Sequence, residues 1–318
     1  GQHLPVQAVV DGKHIRRTYS ICSVPGPAPL EIGVRIQPGG QFSEFAASDL
    51  KVGDELDVMP PFGQFHAEIN SANEKTYLAF AAGSGITPIM SIIRAVLEGE
   101  PQSRFVLFYG NRRQRTTMFI DDLYALKNRF PERLQLYFLF SQEEQEFEIF
   151  SGRLDEKKVA ELIERFCGGL APDEAFVCGP DTMLASVSTA LLAAGMDASV
   201  VHVERYGVPR KETSKAQPES TPSEHQATVN VIMDGHRKTF EMSAAGRNIV
   251  DAAAEQGIEL PYSCKGGVCA TCRTYVRDGE VRMATNYGLE PWEVDKGFVL
   301  ACQSVPVTDS VTLDYDKT

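Results

Sequence analysis

Residues 75–205 swing repeatedly between short apolar runs and amphipathic stretches of helical length. "TYLAFAAG", "RFVLFYGN", "LQLYFLFSQ", "EAFVCGP" and "SVVHVERY" read as strands. "TPIMSIIRAVLEG", "TTMFIDDLYALKNRF", "DEKKVAELIERF" and "DTMLASVSTALLAAG" read as helices between them. The first helix has Pro in its opening turn, where the missing N–H costs nothing. Alternation of this length implies a parallel sheet covered on both faces by helices, the α/β architecture of dinucleotide-binding domains.

The rhythm is different on either side. Residues 1–70 are β-rich, with alternating stretches "HLPVQAVV", "EIGVRIQ" and "DELDVMP" broken by Gly and Pro turns. They predict a small antiparallel β-barrel. The α/β domain is expected over 71–206. Residues 207–227, "GVPRKETSKAQPESTPSEHQA", are polar, rich in Pro and Ser and without periodicity, so they read as an exposed linker. From 228 to 318 a compact α+β pattern follows: "TVNVIMDG" and "HRKTFEMS" as a hairpin, then "NIVDAAAEQG" as a helix. The chain is thus multi-domain, and it shows no internal repeat. It starts with Gly1, as if inside a strand, so a segment ahead of it is expected.

A net charge of −12 argues against a nucleic-acid surface, which needs concentrated Lys and Arg. No run approaches the length of a membrane span, and the start lacks a signal-peptide pattern. A soluble, cytoplasmic protein is expected. The seven cysteines are an odd number with no export signal, which speaks against a disulfide framework.

Three of them crowd one loop, "PYSCKGGVCATCRTYV". Cys264, Cys269 and Cys272 are spaced C-x4-C-x2-C, and Cys302 stands alone after 29 further residues in "GFVLACQ". Zinc ribbons show two C-x2-C pairs, whereas only one is present here. The pattern is the plant-type 2Fe–2S spacing, in which four thiolates reach two irons from one tight loop and one distant strand end. Gly266 and Gly267 let the backbone curl so that amide N–H groups can face the sulfurs. Cys22 and Cys167 lie in no motif and read as structural thiols.

Other motifs are weaker alone. "AAGSGITP" sets Gly83, Gly85, Thr87 and Pro88 between a strand and a helix. Small residues there let backbone approach a pyrophosphate at a helix N-terminus; a packing turn is the plainer reading. Cys178-Gly179-Pro180 ends a strand where open α/β sheets bind ligands. Taken by itself, Cys178 reads as a buried structural thiol. "YGNRRQR" follows the second strand with Asn111, Arg112, Arg113 and Arg115. It is either a solvated basic turn or an anion site for an extra phosphate. "RRTYS" gives Arg17, Tyr19 and Ser20, a cation, a flat ring and a hydroxyl. "PGGQFSEFAA" gives Gly40 and Ser43, with Ser43 expected to cap a short helix facing a phosphate.

In order, Arg17-x-Tyr19-Ser20, Gly40-x-x-Ser43, Gly83-x-Gly85-x-Thr87-Pro88, Cys178-Gly179-Pro180 and Glu204-Arg205-Tyr206 resemble the ferredoxin–NADP reductase superfamily. A plant-type ferredoxin domain at the C-terminus resembles, more narrowly, the reductase components of multicomponent oxygenases. "YSCKGGVCATC" and "TNYGLEPWEVDKGFVLACQ" are similar to the family of phenylacetyl-CoA epoxidase reductase subunits.

The resemblance implies a β-grasp ferredoxin domain and an NAD(P)H-dependent flavin iron–sulfur oxidoreductase. Arg17, Tyr19, Ser20, Gly40, Ser43 and Tyr206 would hold FAD. Gly83, Gly85, Thr87, Pro88, Asn111, Arg112, Gly179 and Pro180 would hold NADPH, favoured over NADH. Ser20, Cys178 and Glu204 would be the catalytic residues. The cluster would sit on Cys264, Cys269, Cys272 and Cys302, and the acceptor would be the di-iron oxygenase of a phenylacetyl-CoA epoxidase complex. The family has further strands before "GQHL", so the flavin barrel is expected to be incomplete here. The alternatives are a reductase of the same build serving a steroid or aromatic-ring hydroxylase, and a non-catalytic iron–sulfur scaffold or sensor.

Overall fold

A computed structural model describes residues 1–26, 29–168, 172–206, 226–244, 247–289 and 291–317. Nearly all of the expected 207–227 linker lies outside the described residues. The chain forms two compact units whose main divide falls after Tyr206.

The first unit opens with β1 (His3–Val10) and β2 (Lys13–Ser20). They are joined by Asp11-Gly12, both at positive φ (52° and 73°). A two-residue turn of that hand matches strand twist, and Asp-Gly tolerates it. Helix α1 (Gln41–Ser48) and the short β3 (Asp57–Val58) follow, giving sheet order β2-β1-β3 with β1 and β3 antiparallel. Leu4, Val6 and Ala8 alternate inward and meet Ile15, Ile21 and Phe42 in a small core.

"EIGVRIQ", expected as a strand, is not one. It makes a single bridge, Ile21 to Ile32, and no strand pairs with it among the described residues. An alternating pattern becomes a strand only where a neighbour completes its hydrogen bonds.

Strands β4 (Thr76–Ala82), β5 (Arg104–Asn111), β6 (Leu134–Phe140), β7 (Glu174–Gly179) and β8 (Val201–Arg205) alternate with α2 (Ile86–Gly99), α3 (Ile120–Arg129), α4 (Glu156–Phe166) and α5 (Asp181–Ala193). The sheet is wholly parallel, in the order β6-β5-β4-β7-β8. β4 is central, and Tyr77 through Ala81 are entirely buried, as a strand covered on both faces requires. One layer packs Ile86, Ile89, Met90 and Ile93 of α2 on Tyr77, Ala79 and Tyr109. The other packs α4 and α5 on Leu78, Phe80 and Phe108. Each fully buried side chain of this size contributes about 1.5–3 kcal/mol. Helix α3 starts later than the sequence predicts. Phe119 takes a left-handed turn (φ 58°) ahead of Ile120, so "TTMF" stays outside the helix.

The chain leaves β4 for β5 and β6 on one side, then crosses back to β7 and β8 on the other. The carboxyl ends of β4 and β7 therefore border a topological switch point, where such sheets bind ligands.

The second unit pairs β9 (Gln226–Met233) with β10 (His236–Ser243) through another Asp-Gly turn, Asp234-Gly235. Helix α6 (Ile249–Glu255) is capped by the Asn248 side chain, which accepts the Asp251 N–H at 2.9 Å. β11 (Arg273–Asp278), β12 (Val281–Met283), α7 (Pro291–Asp295), β13 (Phe298–Leu300), β14 (Ser304–Pro306) and β15 (Ser310–Asp314) complete it. The mixed sheet runs β10-β9-β15-β11-β13, with β9 and β15 parallel at its centre. The outcome is the expected barrel-type sheet, parallel α/β domain and β-grasp unit.

Candidate cofactor sites

In the first unit the motif residues gather at the carboxyl edge of the parallel sheet. Gly83 (φ 55°) and Gly85 form the turn from β4 into α2. A Cβ on Gly85 would lie 2.1 Å from the Cys178 carbonyl oxygen, so only glycine lets this turn sit against the end of β7. Packing against the end of β7 thus requires glycine at 85. Gly83 answers to its backbone, and its carbonyl accepts the Tyr109 hydroxyl at 2.8 Å.

Around this turn the Tyr206 hydroxyl makes two bonds. It lies 2.8 Å from Ser20 Oγ at the end of β2 and 2.9 Å from Thr87 Oγ1 in the first turn of α2. Thr87 Oγ1 also donates to the Ser84 carbonyl. Although 41% of the Tyr206 surface is open, burial of its hydroxyl pushes the phenol well above the ordinary range. Cys178 is fully buried, and burial raises its thiol well above the ordinary range. Glu204, paired with Cys178 across β8 and β7, is lifted from the ordinary 4.5 to about 7 by burial. Ser20, Thr87, Cys178, Glu204 and Tyr206 are therefore one constellation, although 186 positions separate its ends.

Sequence reasoning missed two neighbours of it. His3, buried in β1, places Nδ1 3.8 Å from Glu204 Oε1. Arg35 holds its guanidinium over the glycine turn; a Cβ on Gly83 would meet Arg35 Nη1 at 2.6 Å. Nothing in the string "EIGVRIQ" marks this cation, because only the fold carries it to the turn.

The remaining expectations divide. Asn111 ends β5, and its Nδ2 is buried without a partner among the described residues. Such an orphan N–H suits a ligand oxygen. Arg112, Arg113 and Arg115 are exposed, and Glu143 accepts the Gln114 N–H beside them at 2.9 Å. Pro88 is buried within α2, and Pro180 stands at the N-cap of α5 behind Gly179. Tyr19 packs its ring on Phe42 at 5.4 Å, and Arg17 is exposed.

Ser43 does not cap its helix. Gly40 holds the N-cap position, with no side-chain cap bond. Ser43 lies three residues in and is buried, so its Oγ turns back to accept the Gln37 N–H at 3.1 Å and donate to the Gly40 carbonyl at 3.1 Å. The hydroxyl braces the "QPGG" turn instead.

In the second unit the loop 264–272 needs three left-handed residues, Lys265 (φ 52°), Gly267 (φ 76°) and Ala270 (φ 47°). Two are not glycine, a conformational cost that such loops carry at functional sites. The curl aims donors at sulfur. Gly266 N–H and Cys269 N–H donate to Cys264 Sγ at 3.3 and 3.4 Å, and Cys264 N–H and Thr271 Oγ1 donate to Cys269 Sγ at 3.4 and 3.1 Å. Gly266 thus serves through its N–H, and Gly267 through its φ. The thiols act most strongly on one another as two neighbouring pairs, Cys264 with Cys269 and Cys272 with Cys302. In each pair one thiol, Cys264 or Cys302, is lowered by its partner while the partner is raised.

No group of three or more His, Cys, Asp or Glu converges as a single-metal site among the described residues. Two pairs of thiols, with N–H groups already facing sulfur, fit two irons bridged by sulfide rather than one zinc.

Comparisons agree with this geometry. Family models match residues 1–67 as an oxidoreductase FAD-binding domain, 80–189 as an oxidoreductase NAD-binding domain and 231–307 as a 2Fe-2S iron-sulfur cluster binding domain. The chain is 42% identical to one of the subunits of 1,2-phenylacetyl-CoA epoxidase from Escherichia coli (strain K12), over 99% of this chain and 88% of that protein. It is 29% identical to the ferredoxin reductase component of 3-ketosteroid-9-alpha-monooxygenase from Rhodococcus rhodochrous, over 95% of this chain and 83% of that one. Among solved structures, phthalate dioxygenase reductase shares the fold, with a TM-score of 0.56 at 23% identity, over 99% of this chain and 87% of that chain.

Proposed function

We propose, because this chain belongs to the ferredoxin–NADP reductase superfamily in the branch that carries a C-terminal plant-type ferredoxin domain, that it is the reductase component of a phenylacetyl-CoA epoxidase. It is an NAD(P)H-dependent flavin iron–sulfur oxidoreductase. In this reading it works in the cytoplasm and passes electrons from NADPH to a separate di-iron oxygenase. Among the described residues no helix is long and apolar enough to cross a membrane. The observation that carries the reading is the Tyr206 constellation, which joins the flavin motif at Ser20 to the nicotinamide motif at Thr87 through one phenol.

FAD and the 2Fe–2S cluster would supply the hydride-accepting and single-electron chemistry. The protein's share is to bind, orient and handle protons. Gly83 and the N-terminus of α2 would receive the dinucleotide phosphates, with Asn111 Nδ2 donating to a ligand oxygen. Gly179 and Pro180 would line the same edge, and Pro88 would fix the first turn of α2. Arg17 would hold the FAD phosphates, Tyr19 would lie against the flavin ring, and Gly40 with the turn braced by Ser43 would cradle its pyrophosphate. Ser20 would present its hydroxyl to the flavin edge. Buried, neutral Cys178 would border the nicotinamide without adding charge. Glu204, lifted to about 7, can hold or release a proton at neutral pH. Tyr206 would close the site between Ser20 and Thr87. Cys264, Cys269, Cys272 and Cys302 would hold the cluster. Arg112 would favour the 2′-phosphate of NADPH.

An anaerobic absorption spectrum before and after one equivalent of NADPH tests the reading. Flavin and iron–sulfur bands that bleach together are expected; cluster bands that stay unbleached would overturn it. Mixing the reduced protein with the oxygenase subunits and phenylacetyl-CoA should then give epoxide. Turnover only with a steroid or aromatic-ring hydroxylase would reassign the partner. Replacing Arg112 with Ala should raise the KM for NADPH several-fold more than that for NADH. Equal effects would remove the 2′-phosphate role.

A further inference from the structure

The second unit buries a phenol with nothing to bond. Tyr315 Oη is enclosed and has no partner among the described residues. A hydroxyl left so is destabilising, and such orphans in a well-formed fold call for an acceptor.

The strand register says where this hydroxyl lies. Tyr315 directly follows β15, and its N–H still bonds the Ile232 carbonyl of β9 at 2.9 Å, so the ladder holds the residue in place. On the other side β15 pairs antiparallel with β11, Val276 against Leu313 and Tyr275 against Asp314. One step further sets Thr274 opposite Tyr315. Cys272 stands in the turn that leads into β11, two residues before Thr274, and so at the end of the strand where Tyr315 is held. Cys302 is brought there too, because Ala301 N–H bonds the Cys272 carbonyl at 3.1 Å. The ionisable groups whose charge reaches the phenol are the Cys272 and Cys302 thiols. Thr274 Oγ1 is itself buried and unpartnered, so it does not serve as the acceptor. Neither thiol sulfur bonds the phenol.

We infer that Tyr315 donates a hydrogen bond to an inorganic sulfide of the 2Fe–2S cluster, on the side held by Cys272 and Cys302, and so raises its reduction potential. Among the described residues no protein atom accepts this hydrogen, and a cluster sulfide supplies the acceptor. A hydrogen bond to sulfur stabilises the added negative charge of the reduced state. Tyr315 is a positioning and tuning residue rather than a ligand. The inference rests on the reading of the four thiols as cluster ligands.

The full-length, cluster-loaded protein tests it by potentiometric titration followed through the EPR signal of the reduced cluster, which keeps flavin out of the readout. Tyr315→Phe keeps the ring and removes the donor. It should lower the ratio of reduced to oxidised cluster at a fixed potential three- to tenfold, the upper end being about 59 mV. In resonance Raman spectra, the bridging iron–sulfide bands of the parent should shift in D2O, and that shift should vanish in Tyr315→Phe. Placing 3,5-difluorotyrosine at 315, a stronger donor in the same volume, should move the ratio the opposite way; this variant decides the matter if Tyr315→Phe fails to hold its cluster. Unchanged ratios in both variants overturn the inference. So does an isotope shift confined to terminal iron–cysteine bands. A parent protein without iron–sulfur absorption would overturn the ligand reading itself, an outcome distinct from a loaded cluster with unmoved potential.

Discussion

Glu204 shows how one residue ties stability to pH. Burial raises its pKa from 4.5 to about 7, with only a fifth of its side chain exposed. The folded state therefore binds a proton more tightly than the unfolded chain. The resulting stabilisation is complete below about pH 4.5 and is lost as pH rises through about 7. Glu204→Gln should abolish that slope. In urea melts the variant should gain on the parent between pH 5 and 8, by about 2–3 kcal/mol. A parallel offset at every pH would mean that Glu204 is ionised throughout. Cys272→Ala should remove the 2Fe–2S absorption and leave flavin bands untouched. At this scale the 2Fe-2S domain was legible because ligand number and reach dictate cysteine spacing. His3, Arg35 and Tyr315 were not, because their significance is a position in space that only the completed sheets create. Ser43 was misread for a related reason: cap preference describes helix ends, but which residue becomes the end was settled by the preceding glycine.

Elements are held by polar ties at their far ends as much as by apolar cover. Below the parallel sheet, Glu174 at the start of β7 meets Lys75 before β4 at 2.6 Å and His202 of β8 at 3.3 Å. The His202 hydrogen bond, then Lys75, hold its carboxyl below the ordinary range. Its stabilisation is present above about pH 4.5 and is lost as pH falls through the lowered value. Glu174→Gln should cost about 1–3 kcal/mol at pH 7 and progressively less in acid. Denaturant midpoints across that range check the sign. At the opposite edge, Gly85→Ala sets a methyl against backbone rather than a yielding side chain. It should destabilise the first unit by about 2–3 kcal/mol or more and weaken nicotinamide binding. A melting curve like the parent's would contradict the close approach. Strand–helix alternation was readable along this sheet because its inner strands β4, β5 and β7 carry continuous buried apolar runs. "EIGVRIQ" failed because pattern reports a capacity for pairing, while pairing itself needs a neighbour.

Over the whole molecule, the divide after Tyr206 separates two sets of elements with their own cores and sheets. A fragment of residues 226–318 should fold alone and take up the cluster with the spectrum of the full chain, and residues 1–206 should carry no iron. Failure of the isolated fragment to hold iron would show that its loop depends on the rest of the chain. The distance between Cys272 and Cys302 also imposes a timetable. Translation at about 5–20 residues per second leaves the three loop thiols waiting roughly 2–6 s for the fourth to be made. In that interval the newborn chain displays an unfinished thiolate set, open to zinc or to oxidation. Iron-starved or zinc-rich growth should therefore yield mismetallated protein whose defect was fixed before synthesis ended, and which later iron repletion repairs slowly.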